Sequence, residues 1–169
     1  MLFNKDNFKS IKNGNLTHIP NFTPIEETID FNLLAELYDE YRPVSKILPK
    51  RFYPDEILSS PFLLKNIHEH PFFNVYFNFF NKQFKPSDNI VSELDIFFSF
   101  ASGAGGVHAD REDIHIVGLK GKTIYRCWEK NNINEYTISQ GDYIFIPKGT
   151  KHSSITVTPR MIMSHSIFN

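Results

Sequence analysis

Two short segments decide the fold of this chain: GAGGVHAD at positions 103–110 and GDYIFIPKGTKH at positions 141–152. Residues i and i+2 of an extended strand point to the same face, so His108 and Asp110 can aim at one point. His152 follows a Pro-x-Gly turn that reverses the chain and begins a further strand. Two imidazoles and one carboxylate are the ligand set of facial sites that hold non-haem Fe(II) and leave coordination positions open. The two segments therefore predict a metal site on a β scaffold.

The second half of the chain shows the pattern of short β-strands separated by turns. Apolar runs of four to eight residues are bounded by glycine, asparagine and proline, which is typical of sandwiches and barrels. The predicted strands are 94–101, 107–110, 114–119, 123–128, 135–138, 143–146, 153–158 and 161–168. Strands of this number and length predict an all-β core, a jelly roll or double-stranded β-helix, whose two sheets enclose a pocket.

The first half of the chain predicts a helical shoulder on this core. Apolar residues recur at three- and four-residue steps in one segment that Pro43 ends, and a second segment carries aromatic residues on one helical face behind an initial proline. The predicted elements are helices at 30–42 and 71–84, helical turns near 55–58 and 62–67, and an edge strand at 16–19. We expect one domain over 1–169, with the shoulder at 1–90 and the barrel at 91–169.

Bulk composition argues against several classes of protein. The chain has 18 basic and 19 acidic residues, and this balance favours neither a nucleic acid nor an anionic membrane surface as partner. The single cysteine, Cys127, excludes an internal disulfide, fits a reducing compartment, and is interpreted as a small buried thiol. The sequence shows no secretory signal and no apolar run long enough to span a bilayer, which predicts a cytoplasmic protein.

The spacing of the second segment matches the second motif of the cupins: Gly, five residues, Pro-x-Gly, two residues, His. The matching positions are Gly141, Pro147, Gly149 and His152. The first cupin motif is matched in part, because His108 takes its first place, Asp110 replaces the second histidine, and His115 stands where a glutamate is usual. On these residues the chain resembles the cupin superfamily and, within it, the jumonji-type Fe(II)/2-oxoglutarate oxygenases. The stretch 108–128 is similar to the strand pair of asparaginyl and ribosomal-protein hydroxylases of that group.

The resemblance implies a metal-dependent oxygenase that uses Fe(II) and 2-oxoglutarate and acts on a small molecule or a peptide. Sites of imidazole and carboxylate also accept Zn, Ni, Mn and Co, so the residues alone do not select the metal. Edge strands in barrels of this class allow pairing into a homodimer. Two alternatives stay open. One is a metal cupin of another reaction class: an isomerase, a lyase or a cosubstrate-free dioxygenase. The other is a non-enzymatic ligand-binding module.

Three residues are candidates for binding the cosubstrate carboxylate. In the oxygenases that the chain resembles, a lysine two positions after the turn glycine has this role, and that position here is Thr123. Lys122 is one residue off, which on a regular strand points it to the opposite face unless a bulge turns it inward. Arg160, at the start of the last strand, would otherwise supply the charge through a bidentate pair.

The remaining histidines have several interpretations. His115 lies in an apolar run, where it could be a fourth metal ligand, a donor that orients a ligand, or a core histidine with a satisfied hydrogen bond. His165 is interpreted as structural or close to the mouth of the pocket. His18, His68 and His70 belong to the shoulder and are predicted to face solvent.

Overall fold

The computed structural model describes residues 5–25, 29–30, 32–33, 36–37, 40, 62–100 and 104–168. The helices whose full bounds the structure describes are α1 (Lys5–Lys12) and α2 (Pro71–Phe84), with a 3₁₀ turn at Ile67–Glu69 before α2. The strands are β1 (Thr17–Ile19), β2 (Phe62–Leu64), β3 (Val91–Ser99), β4 (Ala104–His108), β5 (Asp113–Lys120), β6 (Thr123–Glu129), β7 (Asn132–Ile138), β8 (Tyr143–Ile146), β9 (His152–Thr156) and β10 (Arg160–Phe168).

The strands form two antiparallel sheets. One sheet has six strands in the order β1-β8-β5-β10-β3-β2, and the other has four in the order β4-β9-β6-β7. The chain passes between the sheets repeatedly, so strands that are neighbours in sequence often lie in different sheets. This is the double-stranded β-helix that the turn-punctuated pattern predicts, and it confirms the all-β core with a helical N-terminal part.

The central strands β8, β5 and β10 of the six-stranded sheet are buried on both faces because the shoulder covers their outer side. On β5, Ile114 and Ile116 point into the space between the sheets, where they join an apolar cluster with Ile144 and Ile162. Val117 and Leu119, at the alternate positions that follow, belong to a second cluster, outside the barrel. Burial on both faces explains why β5 has an almost continuous apolar sequence instead of an alternating one.

Helix α2 covers part of the outer side of this sheet. Phe73, Tyr76 and Phe80 are its buried residues, at the three- and four-residue spacing of one helical face. The ring of Phe80 stacks on that of Tyr143 of β8, with 6.0 Å between centroids. Val75, which an alternating strand would bury, is 59% exposed. The prediction of a helix with a packing face is confirmed.

The shoulder also contributes strands to the barrel. β1 pairs with β8, and β2 pairs with β3, so the shoulder supplies both edges of the six-stranded sheet. The prediction of a helical turn at 62–67 was wrong over 62–64, because unpaired backbone groups at the edge of β3 offer partners that local propensity does not reveal. The predicted turn at 55–58 lies outside the described residues.

Other parts of the shoulder agree with the prediction. Asn32, Leu33 and Glu36 have helical backbone within the segment predicted as a helix at 30–42. The Asp30 carboxylate accepts a hydrogen bond from the backbone N–H of Leu33 at 3.0 Å, as an N-terminal cap does. In the part of the chain that the structure describes, no helix is long and apolar enough to cross a bilayer.

Candidate metal centre

Two facing strands and one turn bring the predicted ligands together. His108 ends β4 and His152 begins β9, and the two residues lie opposite each other in the antiparallel register. Opposite residues project to the same face, and here the two ring centroids are 4.3 Å apart. Both residues belong to the four-stranded sheet, at one end of the barrel.

Asp110 reaches the same point from a loop. The predicted strand at 107–110 ends earlier, at His108, so Asp110 is not on a strand as the alternation argument assumed. The backbone N–H of Gly149 donates to the carbonyl oxygen of Asp110 at 2.8 Å, which fastens this loop to the Pro-x-Gly turn. Gly149 has a φ of 76°, a conformation that a residue with a side chain rarely adopts. The turn thus orders both halves of the site.

The three side chains have the spacing of ligands around one ion. Nε2 of His152 lies 3.3 Å from Oδ2 of Asp110, and Nε2 of His108 lies 3.8 Å from Oδ1. All three residues offer a ligand atom within 4.8 Å of the others. Nitrogen and oxygen ligands lie about 2.0–2.2 Å from a first-row metal, so ligands at right angles are about 3 Å apart. A small inward movement is enough to close the site on an ion.

The hydrogen bonds of the two imidazoles leave their Nε2 atoms free for a metal. Nδ1 of His108 donates to the carbonyl of Gly106 at 2.6 Å, and Nδ1 of His152 donates to that of Thr150 at 2.9 Å. A carbonyl oxygen only accepts, so Nδ1 carries the proton in the neutral rings and Nε2 presents a lone pair. Oδ2 of Asp110 is buried and has no hydrogen-bond partner. The lone pairs of the two Nε2 atoms and of the Asp110 carboxylate thus face one another, and a bound cation between them would satisfy all three.

The site is closed on one side and open on the other. The side chain of His152 is 4% exposed and that of His108 is 50% exposed. Burial lowers the pKa of His152, and His108 adds to this effect, while the hydrogen bond to Thr150 and the Asp110 carboxylate oppose it. A lowered pKa keeps His152 neutral near pH 7, which is the form that binds a metal.

A cavity of about 580 Å³ lies in front of the three residues, between the two sheets. Its walls combine apolar side chains from the six-stranded sheet with polar ones from both sheets. The described lining residues include Ile114, Ile116, Tyr125, Ser154, Arg160, Ile162 and Ser164. A pocket of this size and mixed polarity is typical of small-ligand sites.

Arg160 is a buried charge in this cavity without an acidic partner. It is 5% exposed, and its Nη1 donates to the hydroxyl of Thr123 at 2.5 Å while its Nε donates to Ser99 at 3.3 Å. Among the described residues no carboxylate oxygen lies within 4.0 Å of its guanidinium. A buried guanidinium that is bonded only to hydroxyls is costly unless an anion joins it.

The other two cosubstrate candidates have different environments at the start of β6. Thr123, the first residue of the strand, is fully buried beside Arg160, whereas Lys122, which precedes the strand, is exposed. No bulge turns Lys122 inward, so the structure corrects the suggestion that this lysine reaches the pocket. The buried positive charge of the pocket is that of Arg160 on β10, and the exposed Lys65 also lines the pocket.

His115 does not join the candidate ligands. Because Ile114 and Ile116 take the barrel face of β5, His115 points to the shoulder, where its Nδ1 forms a 2.7 Å hydrogen bond with the hydroxyl of Tyr143. Its ring stacks on Phe84 with 4.7 Å between centroids. The fourth-ligand interpretation and the ligand-orienting one are both contradicted by this placement, and His115 is a core histidine.

His165, on β10, was interpreted as structural or close to the mouth of the pocket, and its position agrees with the structural interpretation. It is fully buried outside the barrel, and its Nε2 donates to Oδ1 of Asn81 at 3.1 Å. The shoulder histidines are more buried than predicted. His18, His68 and His70 were predicted to face solvent, but all three are half-buried. His68 stacks on Phe77 of α2 with 4.5 Å between ring centroids. His68 thus contacts α2, whereas the ring of His18 contacts that of Tyr136 of β7. The sequence does not reveal tertiary contacts of this kind.

Cys127 has the inert environment that was predicted. It is fully buried on β6 and lies opposite His152. Burial raises the pKa of its thiol to about 12, with the nearby Glu129 carboxylate adding to the effect. A thiol with so high a pKa is not a nucleophile near neutral pH.

Sequence reasoning missed two acidic residues of the cavity wall. Glu93 and Asp95 lie on β3 and line the pocket together with Phe97. Burial raises the pKa of Asp95, against the effect of a hydrogen bond from the backbone N–H of Asn66. The sequence did contain a signal, because Glu93, Asp95 and Phe97 are two residues apart and therefore share one face of a strand. The predicted strand began at 94 and so left out Glu93.

The two sheets, the facing histidines and the pocket between them define a cupin-type fold, a double-stranded β-helix. This confirms the resemblance at the level of the fold. No family model matches the sequence, and no curated protein does.

Among solved structures, the chain is similar to the ribosomal oxygenase YcfD of Escherichia coli. An X-ray structure of that protein superposes with a TM-score of 0.71 at 19% identity, covering 99% of this chain and 53% of that one. Its complex with cobalt and succinic acid gives 0.68 at 21% identity, covering 90% and 48%. Its complex with cobalt and 2-oxoglutarate gives 0.65 at 19% identity, covering 90% and 48%. The chain thus spans about half the length of the solved chains that it matches, and identities this low establish the fold alone.

Proposed function

We propose that this protein is a metal-dependent oxygenase that holds Fe(II) at His108, Asp110 and His152 and uses 2-oxoglutarate as cosubstrate. One observation carries the proposal: the three candidate ligands line the same cavity as Arg160, whose buried guanidinium has no carboxylate partner among the described residues. A dianionic cosubstrate could then bind the metal through one end and the guanidinium through the other. A second argument comes from YcfD, a protein of the same fold that has been solved with cobalt and 2-oxoglutarate.

The choice of Fe(II) rests on the chemistry of the ligands. Two histidines and one carboxylate on one face of an ion leave positions open for a chelating cosubstrate and for dioxygen. When bound, ferrous ion and 2-oxoglutarate would supply the oxidising chemistry, as cofactors do. The backbone carbonyls of Gly106 and Thr150 hold the two rings in the tautomer that a metal needs.

The rest of the cavity positions the cosubstrate and excludes water. The Thr123 hydroxyl accepts a hydrogen bond from Arg160, and this bond holds the guanidinium against the four-stranded sheet. Ser99 supports the same group from the other sheet and is itself hydrogen bonded to Thr156 at 3.1 Å. Arginine matches a carboxylate with two parallel hydrogen bonds, so it can replace the usual lysine in this role. The substrate, a small molecule or a peptide, would enter on the exposed side of His108.

An anaerobic titration tests the proposal. Addition of 2-oxoglutarate to the Fe(II)-loaded protein is expected to produce a weak visible charge-transfer band, and admission of air is expected to release succinate without added substrate. The His152→Ala variant is the control and should show neither. Metal binding without the band and without succinate would contradict the cosubstrate and leave a metal cupin of another reaction class.

A separate measurement addresses the non-enzymatic alternative. A metal that binds only the native state raises the free energy of unfolding, by about 2.7 kcal/mol at a concentration a hundred times its Kd. We expect Fe(II) or Mn(II) to raise Tm and a chelator to reverse the rise. A Tm that is the same with metal and with chelator would favour a binding module that has kept only the barrel.

A further inference from the structure

A second cavity, of about 400 Å³, lies on the other side of the same strands that line the metal centre. On β5, Asp113 and His115 line this outer cavity, whereas Ile114 between them lines the barrel pocket. On β10, Ile167 lines the outer cavity, whereas Ser166 lines the pocket. The proposed oxygenase chemistry makes no use of the outer cavity.

The rim of the outer cavity is positively charged. Lys12 comes from the end of α1, and Lys82 and Lys85 come from the last turn and the end of α2. Lysines at the end of one helix are common because they complement its dipole, but here two separate helices direct lysines to one opening. Among the described residues none of the three ammonium groups lies within 4.0 Å of a carboxylate oxygen.

The acidic side chain at this opening does not neutralise the rim. Oδ1 of Asp113 accepts a hydrogen bond from the backbone N–H of Lys148 at 2.9 Å, which directs that oxygen to the turn before β9. Lys85 is half-buried and close enough to the interior to contribute to the lowered pKa of His165, after the larger effects of burial and of His68. The rim therefore carries three positive charges against one negative charge.

Part of the lining of the outer cavity is apolar, and we call this part its floor. It consists of Ile11, Phe84, Phe145 and Ile167, and the ring of His115 also lines the cavity. The His115 ring is neutral near pH 7, since burial lowers its pKa well below the usual value. An apolar floor under a cationic rim fits a ligand with an anionic head and an apolar body.

We propose that this outer cavity is a second ligand site, which binds a small organic anion with an apolar body independently of the metal. The anionic head, a carboxylate or a phosphate, lies among Lys12, Lys82 and Lys85, and the apolar body rests on Phe84 and Phe145. Because β5 and β10 form a wall of both cavities, a ligand here contacts the opposite face of the strands that shape the metal pocket.

Calorimetric titration with 4-phenylbutyrate, on the Mn(II)-loaded protein, tests the site. We expect saturable binding that weakens with added salt and is at least tenfold tighter than binding of the neutral amide of the same acid. The double variant Lys82→Gln/Lys85→Gln should lose at least tenfold in affinity. The matched double variant Lys9→Gln/Lys122→Gln removes two exposed charges outside the cavity and should stay within twofold of the wild type.

The His152→Ala variant separates this site from the metal centre. It should bind 4-phenylbutyrate as the wild type does, and a loss of binding there would place the probe in the barrel and overturn the proposal. Equal affinity of the two double variants would also overturn it, as would the absence of saturable binding by the wild type. Lys82 is exposed, so Lys82→Gln alone is a second test if the double variant is unstable, with about a threefold loss expected.

Discussion

Within the described residues, two pairs of histidines face each other across neighbouring antiparallel strands. His108 and His152 do so in the four-stranded sheet, and His115 and His165 do so in the six-stranded sheet. Their ring centroids are 4.3 Å and 5.8 Å apart. The first pair points into the barrel beside Asp110, and the second points out of it under α2. The pairing of two histidines therefore says nothing about a metal until the face and the third partner are known.

The hydrogen bonds of the two pairs explain the difference in chemistry. In the barrel pair, both Nδ1 atoms donate to backbone carbonyls, which leaves both Nε2 atoms directed at a carboxylate. In the outer pair, His115 is hydrogen bonded to Tyr143, and His165 to Asn81 of α2. The outer rings are also packed among phenylalanines and behave as polar members of an aromatic core.

The largest expected effect is loss of metal binding when a histidine of the barrel pair is replaced, whereas replacement of a histidine of the outer pair should leave metal binding intact. His152→Ala should weaken metal binding by more than about 100-fold, because it removes a proposed ligand. His115→Phe should leave metal affinity within about twofold and cost about 1–2 kcal/mol of unfolding free energy, because it removes the hydrogen bond to Tyr143. Metal titration and urea unfolding of both variants measure this contrast. Equal loss of metal in both variants would erase the distinction between the pairs.

A smaller effect is expected at the other end of the metal pocket. Arg160→Gln removes the buried charge and should weaken 2-oxoglutarate binding roughly 10- to 100-fold, since a hydrogen bond to a charged group contributes about 1.5–3 kcal/mol. Metal affinity should change little. Lys122→Gln is the matched control: its side chain is exposed, so it should bind 2-oxoglutarate as the wild type does. Weaker binding in the Lys122 variant alone would show that the lysine, not the arginine, holds the carboxylate.

A third expected effect, of similar size, is on the free energy of unfolding below pH 6.5. Burial lowers the pKa of His165 from 6.5 to about 3, so the unfolded chain takes up a proton in this range that the folded chain does not. The contribution of neutral His165 to the free energy of unfolding is therefore fully present above pH 6.5 and decreases as the pH falls towards 3. At pH 5 the loss from this residue is about 2 kcal/mol relative to pH 7.

The variant His165→Phe isolates this contribution. Phenylalanine cannot titrate, so the decrease in unfolding free energy between pH 7 and pH 5 should be smaller than in the wild type by about 2 kcal/mol. Urea unfolding of the metal-free proteins at several pH values gives the comparison. Parallel pH profiles for the two proteins would mean that His165 is protonated in the folded state.

The fold and the candidate ligands were predictable because their signals are local. The strand at 143–146 and the helix at 71–84 were predicted with the observed bounds, since turn residues and an initial proline mark their ends. The strand at 62–64 was missed because its only reason to be extended is the edge of β3, about thirty residues further along the chain. Long-range pairing of this kind overrides local propensity.

The sequence by itself determined the alternation of short strands, the Pro-x-Gly turn before His152, and the set of two imidazoles and one carboxylate. Only the tertiary structure decided that His115 faces α2, that Arg160 meets Thr123, and that a cationic cavity lies behind β5. The physical reason is that a strand has two faces, and the sequence shows which residues share a face. Which face is inside the barrel depends on the sheets and helices that pack against it, and these come from distant parts of the chain.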